Sequence, residues 1–217
     1  MNHIIKFSQR AVIDKITLSL PTKGICFRLT FKWAACTLAG GRFKYDEANA
    51  DKTAAKHTEY RKETLAMEAT LKGDFSDSKD FAKYVDLDHK ETRRFVKEWG
   101  AKFTDADKNV FTNLDVLNQT IDPIYDYLKT TKVPGDYAVL GVFYGRNGSS
   151  AWGHVVGFCT RGGKSADGPC FFDANSGLWE FDSGENFADS IRSYIRTVYL
   201  KGGRTIEAFN TIVVKMK

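Results

Sequence analysis

Residues 137–160, YAVLGVFYGRNGSSAWGHVVGFCT, decide the fold class. Tyr137 to Tyr144 is a continuous apolar run, and Gly145-Arg146-Asn147-Gly148 carries an Asn-Gly turn signal. Trp152 to Thr160 then alternates with a period of two, so the whole stretch reads as an antiparallel hairpin. Strand character continues downstream. A turn-rich segment from Arg161 to Gly168 leads into Cys170-Phe171-Phe172-Asp173, and Ala174-Asn175-Ser176-Gly177 turns the chain into Leu178-Trp179-Glu180-Phe181. Residues 185–196 have helical spacing, and Ile206 to Met216 forms a last strand with Phe209, Ile212 and Val214 as apolar contributors.

Upstream of the hairpin the character is different. Ile4, Ile5 and Phe7 suggest a short strand, and Ile16, Leu18 and Leu20 alternate like a second, until Pro21-Thr22-Lys23-Gly24 breaks the pattern. From Ile25 the apolar spacing becomes helical, through Leu29, Trp33 and Cys36, with Gly40-Gly41 as the stop. Cys26 therefore falls in the first turn of a buried helix. Residues 45–130 are polar and rich in Ala, Lys and Glu, and their patterning predicts amphipathic helices at roughly 47–72, 77–84, 88–102 and 112–130, with Pro123 starting or kinking the last. Helices first and an antiparallel sheet afterwards make the class α+β. The 217 residues suffice for one domain spanning 1–217, with a helical half at about 25–130 and a sheet half at about 136–217.

Composition narrows the function classes. No run approaches the ~18 apolar residues of a membrane span, and Met1 to Lys6 lacks the apolar stretch and cleavage site of a secretory signal, so the chain reads as soluble, with no membrane span. The formal net charge is +5, but basic and acidic residues are mixed along the whole length, which is a solvated surface and not a nucleic-acid footprint. Cys26, Cys36, Cys159 and Cys170 show neither a CxxC pair nor zinc-site spacing, so no metal and no cofactor is expected, and a reducing compartment suits a free thiol. A monomer is expected.

A thiol becomes a nucleophile as its thiolate, and the unpaired N–H groups of a helix's first turn favour that charge. Cys26 is so placed, and its own backbone N–H is a candidate oxyanion donor. Of the four histidines only His154 lies on a strongly patterned strand, sharing a face with Trp152, Val156 and Phe158 while Gly153 and Gly157 lie on the other. A histidine within an apolar face requires a polar partner. Asp173, ending the next strand, is the natural one, because neighbouring antiparallel strands bring residues of this separation together and a carboxylate would set the imidazole tautomer. Asn175 and Trp152 are candidates for binding substrate or orienting the histidine. Cys36, Cys159 and Cys170 read as structural, Trp33 and Trp179 as core or cleft walls, and His57 and His89 as surface residues.

Gly24-Ile25-Cys26 followed by Leu29 and Trp33, then Gly153-His154-Val155-Val156-Gly157, then Phe171-Phe172-Asp173-Ala174-Asn175-Ser176-Gly177 resembles the YopT-type, AvrPphB-like cysteine protease effectors, a bacterial family related to papain. The resemblance implies a papain-like fold with the nucleophile helix packed on an antiparallel sheet, and a triad in the order Cys26, His154, Asp173. It implies a protein or peptide substrate, a host protein in the kind of reaction this family performs, and a secreted effector acting in the host or target cell cytosol. Two departures stand out. Ala174 occupies a position where the family turn often has proline, and the positions just before Cys26, Ser19 to Lys23, hold no Gln or Asn for the oxyanion hole; Ser19 or Thr22 would donate more weakly, and Gln9 only by folding back. A papain-like amidase or acyltransferase acting on cell-wall peptides would use the same triad, and a non-catalytic binding module would keep the fold alone.

Overall fold

A computed structural model describes residues 1–10, 26–41, 86, 90, 92, 93, 103–111, 137–159, 169–182 and 185–216. The strands are β1 (Asn2–Lys6), β2 (Phe103–Phe111), β3 (Tyr137–Asn147), β4 (Ser150–Cys159), β5 (Cys170–Asp173), β6 (Gly177–Glu180) and β7 (Arg204–Met216). The helices are α1 (Cys26–Leu38) and α2 (Phe187–Tyr199), the latter followed by a 3-10 turn at Lys201–Gly203. All the strands join one antiparallel sheet in the order β1-β6-β5-β4-β3-β7-β2. The class is thus mixed helix and antiparallel sheet. Among the described residues no helix is long and apolar enough to cross a membrane.

The continuous apolar run of β3 has a physical reason: the centre of the sheet is covered on both faces. Ala138, Leu140 and Val142 of β3, with Val155 and Cys159 of β4, pack in one cluster with Phe27, Phe31, Trp33 and Ala34 of α1. Val139 and Phe143, with Val156 and Phe158, pack in a second cluster with Ile191, Tyr194, Ile195 and Tyr199 of α2. Alternation along each strand feeds the two helices in turn, so a strand buried on both sides shows no polar face. At Gly157 the strand lies hard against α1. A Cβ built there would lie 2.6 Å from Trp33 Cζ3 and 2.8 Å from Thr30 Cγ2, so only glycine lets the helix sit this near the strand.

The hairpin turn falls at Gly148-Ser149, between the paired Asn147 and Ser150, so the Asn-Gly signal marks it one residue early: Asn147 ends β3 and Gly148, at φ +60°, takes the first central position of the turn. Helix α2 is capped by Asn186, whose side chain accepts from the Asp189 N–H, and it runs to Tyr199, three residues past the end expected from spacing. Strand β2 was not expected. Its sequence, FTDADKNVF, is too polar to advertise a strand, and its conformation follows from pairing with β7, where Phe111 stands opposite Phe209 and Lys108 opposite Ile212. The expected strand at 16–20 and the helices at 47–72, 77–84 and 112–130 lie outside the described residues. Of the helix at 88–102 only residues 90, 92 and 93 are described, and they are helical.

Candidate active site

Strand β5 ends at Asp173, opposite Val156, so the backbone of Val155 has no β5 partner. The start of α1 fills that gap. The Thr30 hydroxyl donates to the Val155 carbonyl at 3.3 Å, and the Cys26 sulfur accepts from the Val155 and Phe27 N–H groups and shares a hydrogen bond with the His154 side chain. Burial alone would push the Cys26 thiol up, but His154 and the two N–H donors outweigh it and hold the thiol below its ordinary pKa. The residue itself is partly exposed.

His154 stands on β4 directly opposite Phe143 of β3 and is buried. Its Nε2 lies 2.8 Å from Asp173 Oδ1 and 2.8 Å from the Tyr199 hydroxyl, which leaves Nδ1 as the nitrogen available to the thiol. Burial pulls the imidazole toward its neutral form, yet the Asp173 carboxylate and the Cys26 thiolate more than compensate and raise it to about 10.

Asp173 is fully buried, and four donors converge on its two oxygens. Oδ1 takes the His154 contact and the Asn175 backbone N–H at 2.7 Å, while Oδ2 accepts from the Tyr194 hydroxyl at 2.8 Å and the Tyr199 hydroxyl at 2.5 Å. Burial would raise this carboxyl; His154, Tyr199 and the Asn175 N–H reverse the effect and keep it below the usual carboxylate range. The turn that presents it closes at Gly177, whose φ of +114° and approach to the Ile5 carbonyl exclude a side chain, since a Cβ would lie 1.8 Å from that oxygen.

The N-terminal segment braces the same turn. The Phe7 and Gln9 N–H groups donate to the Ser176 and Ala174 carbonyls, and the Gln9 amide donates to Asn175 Oδ1 at 2.7 Å. Asn175 in turn donates through Nδ2 to the Tyr199 hydroxyl at 3.0 Å. Trp152 stacks on Tyr199, centroids 6.1 Å apart, and meets Phe143 edge-on. The structure therefore brings Cys26, His154, Asp173, Asn175 and Trp152 to one place. Sequence reasoning missed Tyr194 and Tyr199, whose spacing on α2 looks like ordinary core; the available signal was that buried tyrosine hydroxyls need polar partners. Cys159 and Cys170 are buried and face each other across β4 and β5, and burial pushes the Cys170 thiol far up, away from nucleophilic use. Among the described residues no cluster of His, Cys, Asp and Glu is arranged to hold a metal ion.

No family model matches the chain, and no curated protein matches it by sequence. Among solved structures it is similar to the Pseudomonas avirulence protein AvrPphB, with a TM-score of 0.55, 11% sequence identity, and coverage of 94% of this chain and 99% of that one. At this identity the likeness is one of fold, and it spans nearly the whole of both chains.

Proposed function

We propose that the chain is a papain-like cysteine protease of the YopT type, in which Cys26 is the nucleophile, His154 the general base and Asp173 the residue that orients and charges the histidine. The observation that carries this reading is the continuous hydrogen-bonded line from the Cys26 sulfur through the His154 ring to the buried Asp173 carboxylate. A depressed thiol beside a raised imidazole favours the thiolate–imidazolium pair, the resting state such chemistry needs.

The sulfur attacks the scissile carbonyl carbon, forming a C–S bond as the carbonyl electrons move to oxygen. Collapse of this intermediate breaks the C–N bond, and the His154 imidazolium gives its proton to the leaving amine. The now neutral imidazole takes a proton from water, whose oxygen attacks the thioester and expels the thiolate, regenerating the pair. Throughout, Asp173 keeps the Nε2 side of the ring occupied so that the proton is carried on the side facing sulfur. In this reading the Cys26 backbone N–H, at the start of α1, donates to the developing oxyanion.

The substrate in this reading is a protein of a host or target cell, and the chain acts there as a delivered bacterial effector; the fold likeness to an avirulence protein supports that setting. The test is a comparison of new protein N-termini in cells given wild-type or Cys26→Ala protein. Termini that appear only with the wild type are expected. Identical sets, with both proteins folded, refute the protease and favour a binding module.

A further inference from the structure

We propose that Tyr199 is a positioning residue of this site, whose hydroxyl and ring together hold the His154 imidazole with Nε2 toward Asp173 and Nδ1 toward Cys26. The inference rests on the triad reading above and adds to it a residue from α2, an element that reading does not use.

The hydrogen-bond inventory leaves one consistent assignment. Tyr199 has a single proton, and its oxygen lies 2.5 Å from Asp173 Oδ2, 2.8 Å from His154 Nε2 and 3.0 Å from Asn175 Nδ2. An ionised carboxylate only accepts, so the phenol proton goes to Asp173. An amide nitrogen only donates, so the Tyr199 oxygen accepts from Asn175, whose own oxygen is occupied by the Gln9 amide. With its proton committed, Tyr199 has only a lone pair to offer His154, and Nε2 must carry a hydrogen. That hydrogen points between Asp173 Oδ1 and the Tyr199 oxygen. Burial and the neighbouring carboxylate push the Tyr199 phenol far above its ordinary pKa, so the proton stays in place.

The ring adds a second constraint. It stacks on the imidazole with centroids 4.8 Å apart and planes 29° apart, and it is itself backed by Trp152. Phe143 closes another side of the imidazole at 5.6 Å. Asp173 alone grips one nitrogen and leaves the ring free to swing about that bond. Tyr199 covers a face and binds the same nitrogen from a second direction, which removes the swing and keeps water off the His154–Asp173 contact.

Tyr194 supplies the internal contrast. Its hydroxyl also bonds Asp173 Oδ2, at 2.8 Å, and the Ser176 hydroxyl at 2.5 Å, but the hydrogen bonds to His154 come from Asp173, Tyr199 and Cys26. Around the imidazole, the titratable groups among the described residues are Cys26 from α1, Asp173 from β5 and Tyr199 from α2, with Tyr194 one hydrogen bond further through Asp173. The Arg204 guanidinium lies beyond, 5.9 Å from the Trp152 ring centroid.

The experiment is the pH dependence of Cys26 alkylation by iodoacetamide, read peptide by peptide so that the other three thiols are separated, in wild type, Tyr199→Phe and Tyr194→Phe. Wild type is expected to react at Cys26 well below the ordinary thiol pKa of about 8.5. Tyr199→Phe is expected to move that acid limb upward by about one pH unit, the tenfold change that loss of a hydrogen bond to a charged group produces, with Tyr194→Phe shifting it less than half as far. A wild-type Cys26 without an acid limb refutes the triad itself. An acid limb in the wild type that Tyr199→Phe leaves unmoved, or that both variants move equally, overturns the positioning role. Should Tyr199→Phe fail to fold, Asn175→Ala removes the donor that orients the Tyr199 hydroxyl. It is expected to shift the limb in the same upward direction, and an unshifted limb overturns the inference.

Discussion

Replacing Asp173 by Asn changes one atom at the most crowded point of the site. The amide oxygen can stay at the Oδ1 position and keep the His154 and Asn175 contacts, which puts the amide NH2 where Oδ2 now accepts from two phenols. Tyr194 can turn its proton to the Ser176 hydroxyl, 2.5 Å away. Tyr199 has no such exit, because its other partners, Asn175 Nδ2 and His154 Nε2–H, are donors. One charge-assisted hydrogen bond and the counter-ion of a buried imidazolium are lost together, a cost of about 3 kcal/mol. For a chain of this size that lowers the thermal midpoint by about 6–12 °C. The loss depends on pH with a definite sign. His154 is a base raised from 6.5 to about 10, so its contribution is complete below pH 6.5 and is lost as pH rises through about 10. Asp173 is an acid whose pKa is depressed, so its share persists above the ordinary carboxylate pKa and is lost only as pH falls through the lowered value. The gap between wild type and variant is therefore widest from about pH 4 to 6.5 and narrows toward pH 10, measured by calorimetry across a pH series. In the same samples the acid limb of Cys26 alkylation moves upward, and hydrolysis slows without vanishing, a smaller loss than Cys26→Ala produces. Equal midpoints from pH 5 to 7 together with an unmoved alkylation limb would refute the reasoning.

His154→Ala is expected to abolish hydrolysis and return Cys26 to ordinary thiol reactivity, while near-native circular dichroism persists; rapid alkylation of Cys26 at pH 6 in this variant would show that the thiolate owes nothing to the imidazole. Gly157→Ala is expected to lower stability by about 1–3 kcal/mol, because its methyl meets the rigid Trp33 ring and the Thr30 methyl and lifts α1 from β4; an unchanged midpoint in thermal melts would mean the helix does not sit as close as 2.6 Å implies.

The strands at 137–160, 170–181 and 206–216, the hairpin, the first turn of α1 and the candidates Cys26, His154 and Asp173 were legible from local pattern. Each depends on a period of 2 or 3.6, a turn signal or an acid at a strand end, and these act between residues close in the chain. Even the separation of faces on β4 was readable, with Val156 and Phe158 on the His154 side and Gly157 on the other, because side-chain direction in a strand is fixed by parity. Periodicity says that a face is buried but not what covers it. Only the tertiary structure decided that α2 lies over the imidazole and brings Tyr194 and Tyr199 to Asp173, that residues 7 and 9 brace the turn at 174–176, and that a polar segment at 103–111 becomes the edge strand of β7. Those pairings join residues from 21 to 169 positions apart, and their stability comes from satisfying buried donors and acceptors after the core has closed, a condition that no local stretch of sequence can express.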